Sequence, residues 1–490
     1  MKLRFKPINF ESGRPIAFIN NALAEKLNIE EGDRIQLSCN GKKLLLPVNL
    51  VEKLLSEKEL GLSDEAISSL NVRRGAIIEI SVALEPRSTH YILKKMNGAE
   101  LSKNEIYLVI KDIVSNALKE AEIAYFVSGV YHNGMTFKET VYLTEAIAST
   151  GKVLKWKSKN IADKHSVGGI PGNRTTPIVV SICAAAGIKI PKTSSKAITT
   201  AAATADVMDA LTNISLSTKD LQKIVRKTNA CLAWGGSLGL APADDKLIRV
   251  EKMLNVDPEP QLIASILSKK IAAGSNYILL DIPYGEGAKV SLRKAKKLKK
   301  DFMKISKYFK LHLEVVLTLG NQPIGNSVGP VLEILDIYKI FRRENNRPKD
   351  LEKKSIFLSG KLLEMMKKAK KGEGEKLARE ILDSGKALEK FEQIISAQGR
   401  KNTPLTLAKF KHSVNAKSSG KVKSINNKLI NRLAQILGCP TDKSAGLYLH
   451  KHLKDSTKKG EPILTLFSES RRKLNQGVRF YKETKPIVLS

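Results

Sequence analysis

The sequence predicts a multidomain α/β protein, in which a helical domain and a central α/β domain are preceded by a small β-barrel and followed by an α+β domain. Three observations support this prediction. The first 85 residues contain an internal repeat, capped amphipathic helices follow, and short apolar runs alternate with helical segments from about residue 161. The predicted domains are 1–85, 86–160 completed by 245–275, 161–400 and 401–490.

The first domain contains two copies of one pattern. The segment LNIEEGDRIQLS, which starts at Leu27, recurs as LNVRRGAIIEIS from Leu70. Each copy follows a short helical stretch, and its glycine stands where a turn precedes an alternating strand. Two helix–turn–strand units predict a small pseudo-symmetric barrel. We expect it to serve in assembly or substrate gating, or only as a cap.

The next two domains differ in their periodicity. Ser102-x-x-Glu105 and Thr136-x-x-Glu139 are capping boxes before apolar runs, so 86–160 is predicted to be helical. The later runs IVVSICAAAG, YILLDIP and LEVVLTLG are predicted to be strands that alternate with helices, a pattern typical of a parallel sheet. We therefore expect ligands at the carboxyl ends of these strands. In the last domain, KKGEPILTLFSES predicts a turn and then a strand.

Composition excludes several classes of protein. The chain has 490 residues, 42% hydrophobic and 27% charged, as in globular proteins. Its formal charge of +34 is spread along the sequence and aromatic residues are only 5%, which favours a solvated basic surface over a nucleic-acid partner. Four scattered cysteines predict reduced thiols in a cytoplasmic protein, with no metal site. No signal peptide, membrane span or membrane partner is expected.

The stretch from Lys164 to Asp209 is the predicted ligand site. It begins with a lysine and a glycine-rich turn, and it ends in a turn dense in hydroxyl groups: Thr193, Ser194, Ser195, Thr199, Thr200 and Thr204. Backbone amides in glycine-rich turns, hydroxyl donors and a lysine together suit a phosphate group. The alternative for each single Ser or Thr is a local turn hydrogen bond.

Five motifs resemble the thymidine phosphorylase superfamily: KHSVGG at 164–169, SSKAITTAAATAD at 194–206, LAPADD at 240–245, ASILSKK at 264–270 and QPIGNSVGPVLE at 322–333. With its N-terminal barrel, the chain is most similar to the branch of long archaeal-type AMP phosphorylases and their bacterial relatives. The resemblance implies a nucleoside phosphorylase/phosphoribosyltransferase-like fold and phosphorolysis of an N-glycosidic bond. It also implies inorganic phosphate as a co-substrate, no cofactor, a nucleotide or nucleoside as the other substrate, and a homodimer or larger homo-oligomer.

The resemblance also implies the site residues. Phosphate is assigned to Lys164, Ser166, Thr176, Ser194 and Thr204, and catalysis to Asp257, as the proton donor, and His165. Nucleotide and base contacts are assigned to Gly169, Ser195, Lys196, Ala197, Ile198, Thr199, Thr200, Thr204, Ser265, Lys269 and Lys289. From the sequence alone, Asp257 is equally well interpreted as a helix N-cap, because it precedes Pro258 and a helical run.

Three hypotheses of function remain open. Pyrimidine-specific members of the superfamily carry a Tyr-Ala-Leu-Arg stretch where this chain has KLIRVEKMLNVD, with Arg249 out of register. This departure favours an AMP phosphorylase, with CMP or UMP as possible further substrates, over a thymidine phosphorylase. Lys196 stands where the superfamily usually has arginine, so it lacks the planar fork. The third hypothesis is a basic nucleic-acid-binding protein on an inactive phosphorylase scaffold.

Overall fold

The structure is a computed structural model that describes residues 1–83, 85–172, 174–197 and 200–490. The chain forms two compact units. One combines Met1–Thr150 with Pro242–Ser265, and the other combines Gly151–Ala241 with Ile266–Ser490. Within the described ranges, no helix has the length and apolar character needed to cross a bilayer.

The first unit begins with a closed barrel, which confirms the prediction from the repeat. Its elements are β1 (Lys2–Pro7), β2 (Ala17–Asn20), α1 (Asn21–Leu27), β3 (Arg34–Cys39), β4 (Lys42–Val51), β5 (Glu59–Leu62), α2 (Asp64–Leu70) and β6 (Ile77–Val82). The strand order is β1-β5-β2-β4-β3-β6. Both repeats end their helix at a left-handed asparagine, Asn28 or Asn71, and both lead into strands that pair with each other, β3 and β6.

Four helices follow the barrel: α3 (Arg87–Met96), α4 (Lys103–Val114), α5 (Glu120–Asn133) and α6 (Phe137–Ser149). The two predicted capping boxes are present, at Ser102 and Thr136. A buried ion pair joins α3 to α6, since Lys95 Nζ lies 2.8 Å from Glu139 Oε1 and both side chains are at most 3% exposed. The same carboxylate also accepts the backbone N–H of Leu101 at 3.0 Å.

The second unit continues with β7 (Ala162–Ser166), α7 (Thr175–Ala185), β8 (Ile190–Ser194), α8 (Thr204–Asp209), α9 (Thr218–Thr228), β9 (Ala230–Trp234) and α10 (Gly235–Leu238). Two predictions were wrong here. The run at 178–187, predicted to be a strand, lies mainly in α7; every residue from Thr175 to Ala184 is buried, so the sequence shows no polar face from which a helical period could be recognised. Residues 151–160, all described, form no helix.

The remaining elements before residue 400 are α11 (Pro242–Leu254), α12 (Glu259–Ala272), β10 (Tyr277–Tyr284), α13 (Leu292–Tyr308), β11 (His312–Leu319), β12 (Ser327–Val328), α14 (Pro330–Phe341), α15 (Lys349–Met365), α16 (Gly374–Asp383) and α17 (Lys386–Ala397). The predicted strands YILLDIP and LEVVLTLG are confirmed as β10 and β11. β10 pairs in parallel with β7 and β11, and β8 pairs in parallel with β9. A parallel bridge from Ile161 to Lys189 links the two sets, so their carboxyl ends point the same way.

The last part of the second unit contains β13 (Phe410–Asn415), β14 (Gly420–Ile425), α18 (Asn427–Leu437), β15 (Gly446–Leu449), β16 (Ser456–Thr457), β17 (Pro462–Ser468), α19 (Arg471–Thr484) and β18 (Ile487–Leu489). The strand predicted in KKGEPILTLFSES is β17. This region packs on the α/β region, because β12 pairs with β15 and Asn427 Nδ2 donates to the carbonyl oxygens of Gly320 (2.8 Å) and Gly287 (3.2 Å).

The ion pair between α3 and α6 gives a test of the fold. Glu139→Gln should lower the free energy of unfolding by about 3–5 kcal/mol, because Lys95 would stay buried without a carboxylate. The control is Glu145→Gln on the same helix, whose partner Lys103 is 59% exposed, and its expected cost is below about 1 kcal/mol. Urea unfolding followed by circular dichroism measures both. Equal effects of the two substitutions would contradict this account.

Candidate functional site

The predicted ligand stretch lies at the carboxyl ends of two neighbouring strands. Lys164, His165 and Ser166 are the last three residues of β7, and Ser194 is the last residue of β8. Lys192 Nζ donates to the carbonyl oxygen of Lys164 at 2.6 Å, which ties the two strands together. The strand ends that carry Lys164 and Ser194 are therefore at one edge of the α/β region.

The two loops that leave these strands face each other. A Cβ atom built on Gly169, whose φ is +53°, would lie 3.4 Å from Thr200 Cγ2. A Cβ atom on Gly168 would lie 3.4 Å from Lys289 Cβ, and one on Gly172 would collide with Ser166 Oγ. Glycine is therefore what lets this turn approach its neighbours so closely. Gly169, Thr200 and Lys289, three of the predicted site residues, come together here.

The hydroxyl-rich loop is held by a carboxylate. Asp206 Oδ2 accepts the backbone N–H groups of Ala197 (2.6 Å) and Ala203 (2.9 Å), which closes the loop just before Thr204, the first residue of α8. Within the loop, Ser194 Oγ donates to the carbonyl oxygen of Ser195 at 3.0 Å. The predicted contacts Ile198 and Thr199 lie outside the described residues.

Lys196 has an aromatic partner. Its Nζ atom lies 4.4 Å from the centre of the Trp234 ring, at the end of β9. A cation over the face of an indole ring is stabilised by the ring quadrupole. The lysine that replaces the usual arginine is thus placed against an aromatic ring.

A buried arginine anchors the glycine-rich turn. Arg174, which has a left-handed φ of 66°, donates to the carbonyl oxygens of Ile170 and Ile324. Its guanidinium also lies 3.3 Å from Glu333 Oε1, with both side chains at most 1% exposed. Burial raises the pKa of Glu333 to about 7, although Arg174 opposes the shift. The motif at 322–333 therefore supports the turn through its carbonyl and carboxylate oxygens.

Lys164 is fully buried in this structure. Its Nζ atom donates to Thr175 Oγ1 at 2.7 Å, and that hydroxyl donates to the carbonyl oxygen of Gly172 at 3.1 Å. Burial lowers the pKa of Lys164 to about 8, and the nearby carboxylates oppose this shift. The resemblance assigned phosphate to Thr176, which is buried in the first turn of α7. Lys164 instead contacts Thr175, the residue before Thr176. The sequence alone could not show which of these two adjacent threonines the lysine contacts.

Two buried aspartates, to which the sequence analysis gave no role, lie next to the predicted site residues. Asp163 Oδ1 is 3.2 Å from Lys192 Nζ, and Asp163 Oδ2 is 2.7 Å from Lys270 Nζ. Burial alone would raise the pKa of Asp163, but the two lysines outweigh it and lower the pKa. Burial lowers the pKa of Lys270 to about 7 against the attraction of Asp163. Lys270 is thus part of a buried cluster of charged side chains around Asp163.

The second aspartate, Asp281 on β10, orients Ser166. Ser166 Oγ donates to Asp281 Oδ2 at 2.9 Å, and Thr318 Oγ1 donates to Oδ1 at 2.6 Å. Lys354 Nζ lies 3.0 Å from Asp281 Oδ2. Asp281 lies in the predicted strand YILLDIP but was given no role in the site, and Lys354, on α15, lies in no motif that the sequence analysis used. The parallel pairing of β7 with β10 places Asp281 beside Ser166.

The other predicted residues lie near or on α12. Asp257 is half-buried in the segment between α11 and α12, and Ser265 is half-buried on α12; both belong to the first unit. Lys269 follows one turn later on the same helix and belongs to the second unit. Arg249, on α11, is half-exposed, and its Nε atom lies 3.9 Å from Glu120 Oε1.

Comparisons with known proteins agree with this architecture. Three family models match: the helical bundle domain of a glycosyl transferase family over 89–151, the a/b domain of that family over 158–388, and the pyrimidine nucleoside phosphorylase C-terminal domain over 421–487. A solved structure, anthranilate phosphoribosyltransferase (TrpD) from Thermus thermophilus, superposes with a TM-score of 0.51 at 17% identity. The match covers 63% of this chain and 98% of the anthranilate phosphoribosyltransferase chain, which shows a shared fold.

Curated relatives match almost end to end. The AMP phosphorylase of Pyrococcus furiosus is 41% identical over 494 residues, covering 100% of this chain and 98% of the relative. The AMP phosphorylases of Thermococcus sibiricus and Methanocaldococcus jannaschii are 40% and 39% identical, each covering 99% of this chain and 97% of the relative.

His165 allows a direct test of the site's electrostatics. Burial, with Lys270, Lys192, Lys269 and Lys164 adding repulsion, holds the pKa of His165 well below its usual value of 6.5. We expect its imidazole to stay neutral from pH 8 down to pH 6. Nitrogen-15 NMR of the histidine side chains, with His165→Gln to assign the signal, measures this. A titration of that signal near the usual value would refute the arrangement of charges.

Proposed function

Because this chain belongs to the AMP phosphorylase family, we propose that it cleaves AMP with inorganic phosphate, with CMP and UMP as further substrates. In this reaction a phosphate oxygen bonds to C1′ of the ribose as the bond from C1′ to the base nitrogen breaks. The products are the free base and ribose 1,5-bisphosphate. The enzyme must hold phosphate in line with C1′ and supply a proton to the departing base.

The observation that carries this proposal is the meeting of the glycine-rich turn with the hydroxyl-rich loop and Lys289. In that place Gly169 approaches Thr200, and Gly168 approaches Lys289. A nucleotide brings a 5′-phosphate in addition to the inorganic phosphate, so two anions need donors. We assign the 5′-phosphate to Lys289 and the backbone of 195–200, next to the donors at the ends of β7 and β8.

Inorganic phosphate is assigned to Lys164, Ser166, Thr176, Ser194 and Thr204, and the contact with Lys164 adds Thr175 as an orienting residue. A lysine whose pKa is lowered to about 8 by burial gains most from a nearby anion, because the anion favours its charged form. Binding of phosphate should therefore raise the pKa of Lys164. Lys354 compensates the charge of Asp281, so that this carboxylate orients Ser166 with less repulsion of phosphate.

The departing base is assigned to α12 and the segment before it. Asp257 donates the proton, and Ser265 and Lys269, which are one turn apart on α12, contact the base. His165 in its neutral form offers a ring N–H to the sugar without adding another positive charge. Arg249, which lies beside Glu120, has no part in this assignment.

We also propose a cytoplasmic homodimer or larger homo-oligomer. All four cysteines, which lie within the described residues, are free and buried, as suits a reducing compartment. Helices α3 to α5 expose large apolar side chains, at Leu93, Tyr107, Tyr125 and Tyr131, and tyrosine is enriched at protein interfaces.

A substrate panel tests the proposed activity. The purified protein is incubated with phosphate and, separately, with AMP, CMP, UMP, thymidine and uridine, and the free base is measured. We expect release from the nucleotides and not from thymidine. Release from thymidine alone would replace the proposal with a thymidine phosphorylase. Release from no substrate, together with salt-sensitive retention on DNA, would favour the nucleic-acid-binding hypothesis.

Lys289→Ala tests the assignment of the 5′-phosphate. The kcat/KM for AMP should fall about 10- to 100-fold, the equivalent of losing a charge-assisted hydrogen bond of about 1.5–3 kcal/mol. Slow cleavage of adenosine, which lacks that phosphate, should not change. The matched control is Lys296→Ala, an exposed lysine on α13. If AMP and adenosine lose rate equally, Lys289 does not hold the 5′-phosphate.

A further inference from the structure

A second cluster of cations lies in the first unit, between the barrel and the helices. It surrounds a cavity of about 240 Å³. Among the described residues, five cationic side chains line this cavity: Arg14, Arg34, Lys119, Lys246 and Arg249. One carboxylate, Glu120, lines it with them. These residues share no member with the proposed catalytic site.

Glu120 stands between two arginines without a close contact to either. Its Oε2 atom lies 3.9 Å from Arg14 Nη1, and its Oε1 atom lies 3.9 Å from Arg249 Nε. Both distances exceed the range of a hydrogen bond. The two guanidinium groups, each about half-exposed, thus flank one carboxylate without the paired hydrogen bonds that arginine makes with a well-placed anion.

Lys246 adds a positive charge that donates to neutral oxygen atoms. Its Nζ atom donates to the carbonyl oxygens of Ile113 (2.7 Å) and Val114 (2.9 Å) and to Asn116 Oδ1 (2.6 Å) at the end of α4. Burial, helped by Arg249, lowers the pKa of Lys246 to about 8. The nearby positive charge is therefore not fully compensated, and an anion would stabilise its protonated form.

Arg34 differs from the other cations because it is already paired. It forms an ion pair with Glu122 and donates through Nε to the carbonyl oxygen of Ala117 at 2.7 Å. Counting Glu122 with Glu120, two carboxylates face the five cations, which leaves an excess of three positive charges around the cavity. The pairing of Arg34 also ties the barrel to the start of α5, so the cavity has a fixed wall.

We propose that this cavity binds a small phosphate-bearing molecule, with Arg14 and Arg249 turning from Glu120 to the phosphate oxygens. The volume lies below the range of about 300–1,000 Å³ typical of pockets for drug-sized ligands, so it suits a ligand of the size of inorganic phosphate or a pentose phosphate. Arg14 belongs to the barrel region and Arg249 to α11. A bound phosphate would therefore bridge the barrel and the helices.

Isothermal titration calorimetry at low ionic strength tests this site, because salt weakens such contacts. Inorganic phosphate and ribose 5-phosphate are titrated separately into the full chain, into R14Q/R249Q and into R73Q/R74Q, a control at two exposed arginines of the barrel region. We expect the number of ligand molecules bound per chain to fall by one in R14Q/R249Q and to stay unchanged in the control.

The two ligands identify the source of the phosphate group. A site lost for ribose 5-phosphate alone assigns the cavity to a phosphate ester, and one lost for inorganic phosphate alone assigns it to the free ion. If R14Q/R249Q binds as many molecules of both as the wild type, or if the control loses the same site, the proposal is wrong. A wild-type count of one that falls to zero in R14Q/R249Q would support this cavity and refute the proposed catalytic phosphate site.

Discussion

The structure depends on the burial of lysines next to two aspartates on neighbouring parallel strands, β7 and β10. Asp163 lies beside Lys192 and Lys270, and Asp281 lies beside Lys354. Charges are costly to bury unless they are paired and hydrogen-bonded, so these contacts fix the positions of β7, β8 and β10 relative to one another. With Lys164, four lysines meet two aspartates among the described residues. The excess positive charge makes this place favourable for a dianion.

The loops above this charged layer are held by groups from distant parts of the chain. Arg174, which is paired with Glu333, donates to a carbonyl oxygen of the glycine-rich turn. Asp206 accepts two backbone N–H groups of the hydroxyl-rich loop. From the C-terminal region, Asn431 Oδ1 accepts the backbone N–H of Ala201 at 2.6 Å. Donors aimed at a phosphate must be fixed before it binds, since ordering them later would cost binding energy. The C-terminal region thus contributes to the proposed site through backbone contacts.

Local patterns in the sequence predicted much of the fold. The barrel was predictable because both repeats show their turn and their strand alternation openly, and the capping boxes marked two helix starts. The helix α7 was not, because a segment buried on all sides has the same apolar composition in a helix as in a strand. The secondary structure that follows a capping box or a repeat is determined by the local sequence. The secondary structure of a fully buried segment is determined by the tertiary contacts around it.

The site was predictable only in part for a related reason. Family motifs located Lys164, Ser194 and the loops that follow them, yet the contact of Lys164 with Thr175 depends on the path of the turn between them. Asp281 and Lys354 lie 115 or more residues from Ser166 in sequence, and the pairing of β7 with β10 and the position of Lys354 on α15 bring them together. The apolar run YILLDIP places Asp281 on a predicted strand, but the order of residues does not show that Ser166 is its partner.

The distribution of charge also bears on whether the substrate is a nucleoside or a nucleotide. A nucleoside phosphorylase needs to compensate one phosphate, and the four lysines of the buried layer, which outnumber its two aspartates, can supply that charge because a bound anion favours their protonated forms. A nucleotide brings a second phosphate, which requires a further cation outside that layer. Lys196 is placed over Trp234, whereas Lys289 stands on the exposed side of the glycine-rich turn. If Lys289 holds the 5′-phosphate as proposed, this exposed cation supplies the additional charge that a nucleotide requires and a nucleoside does not.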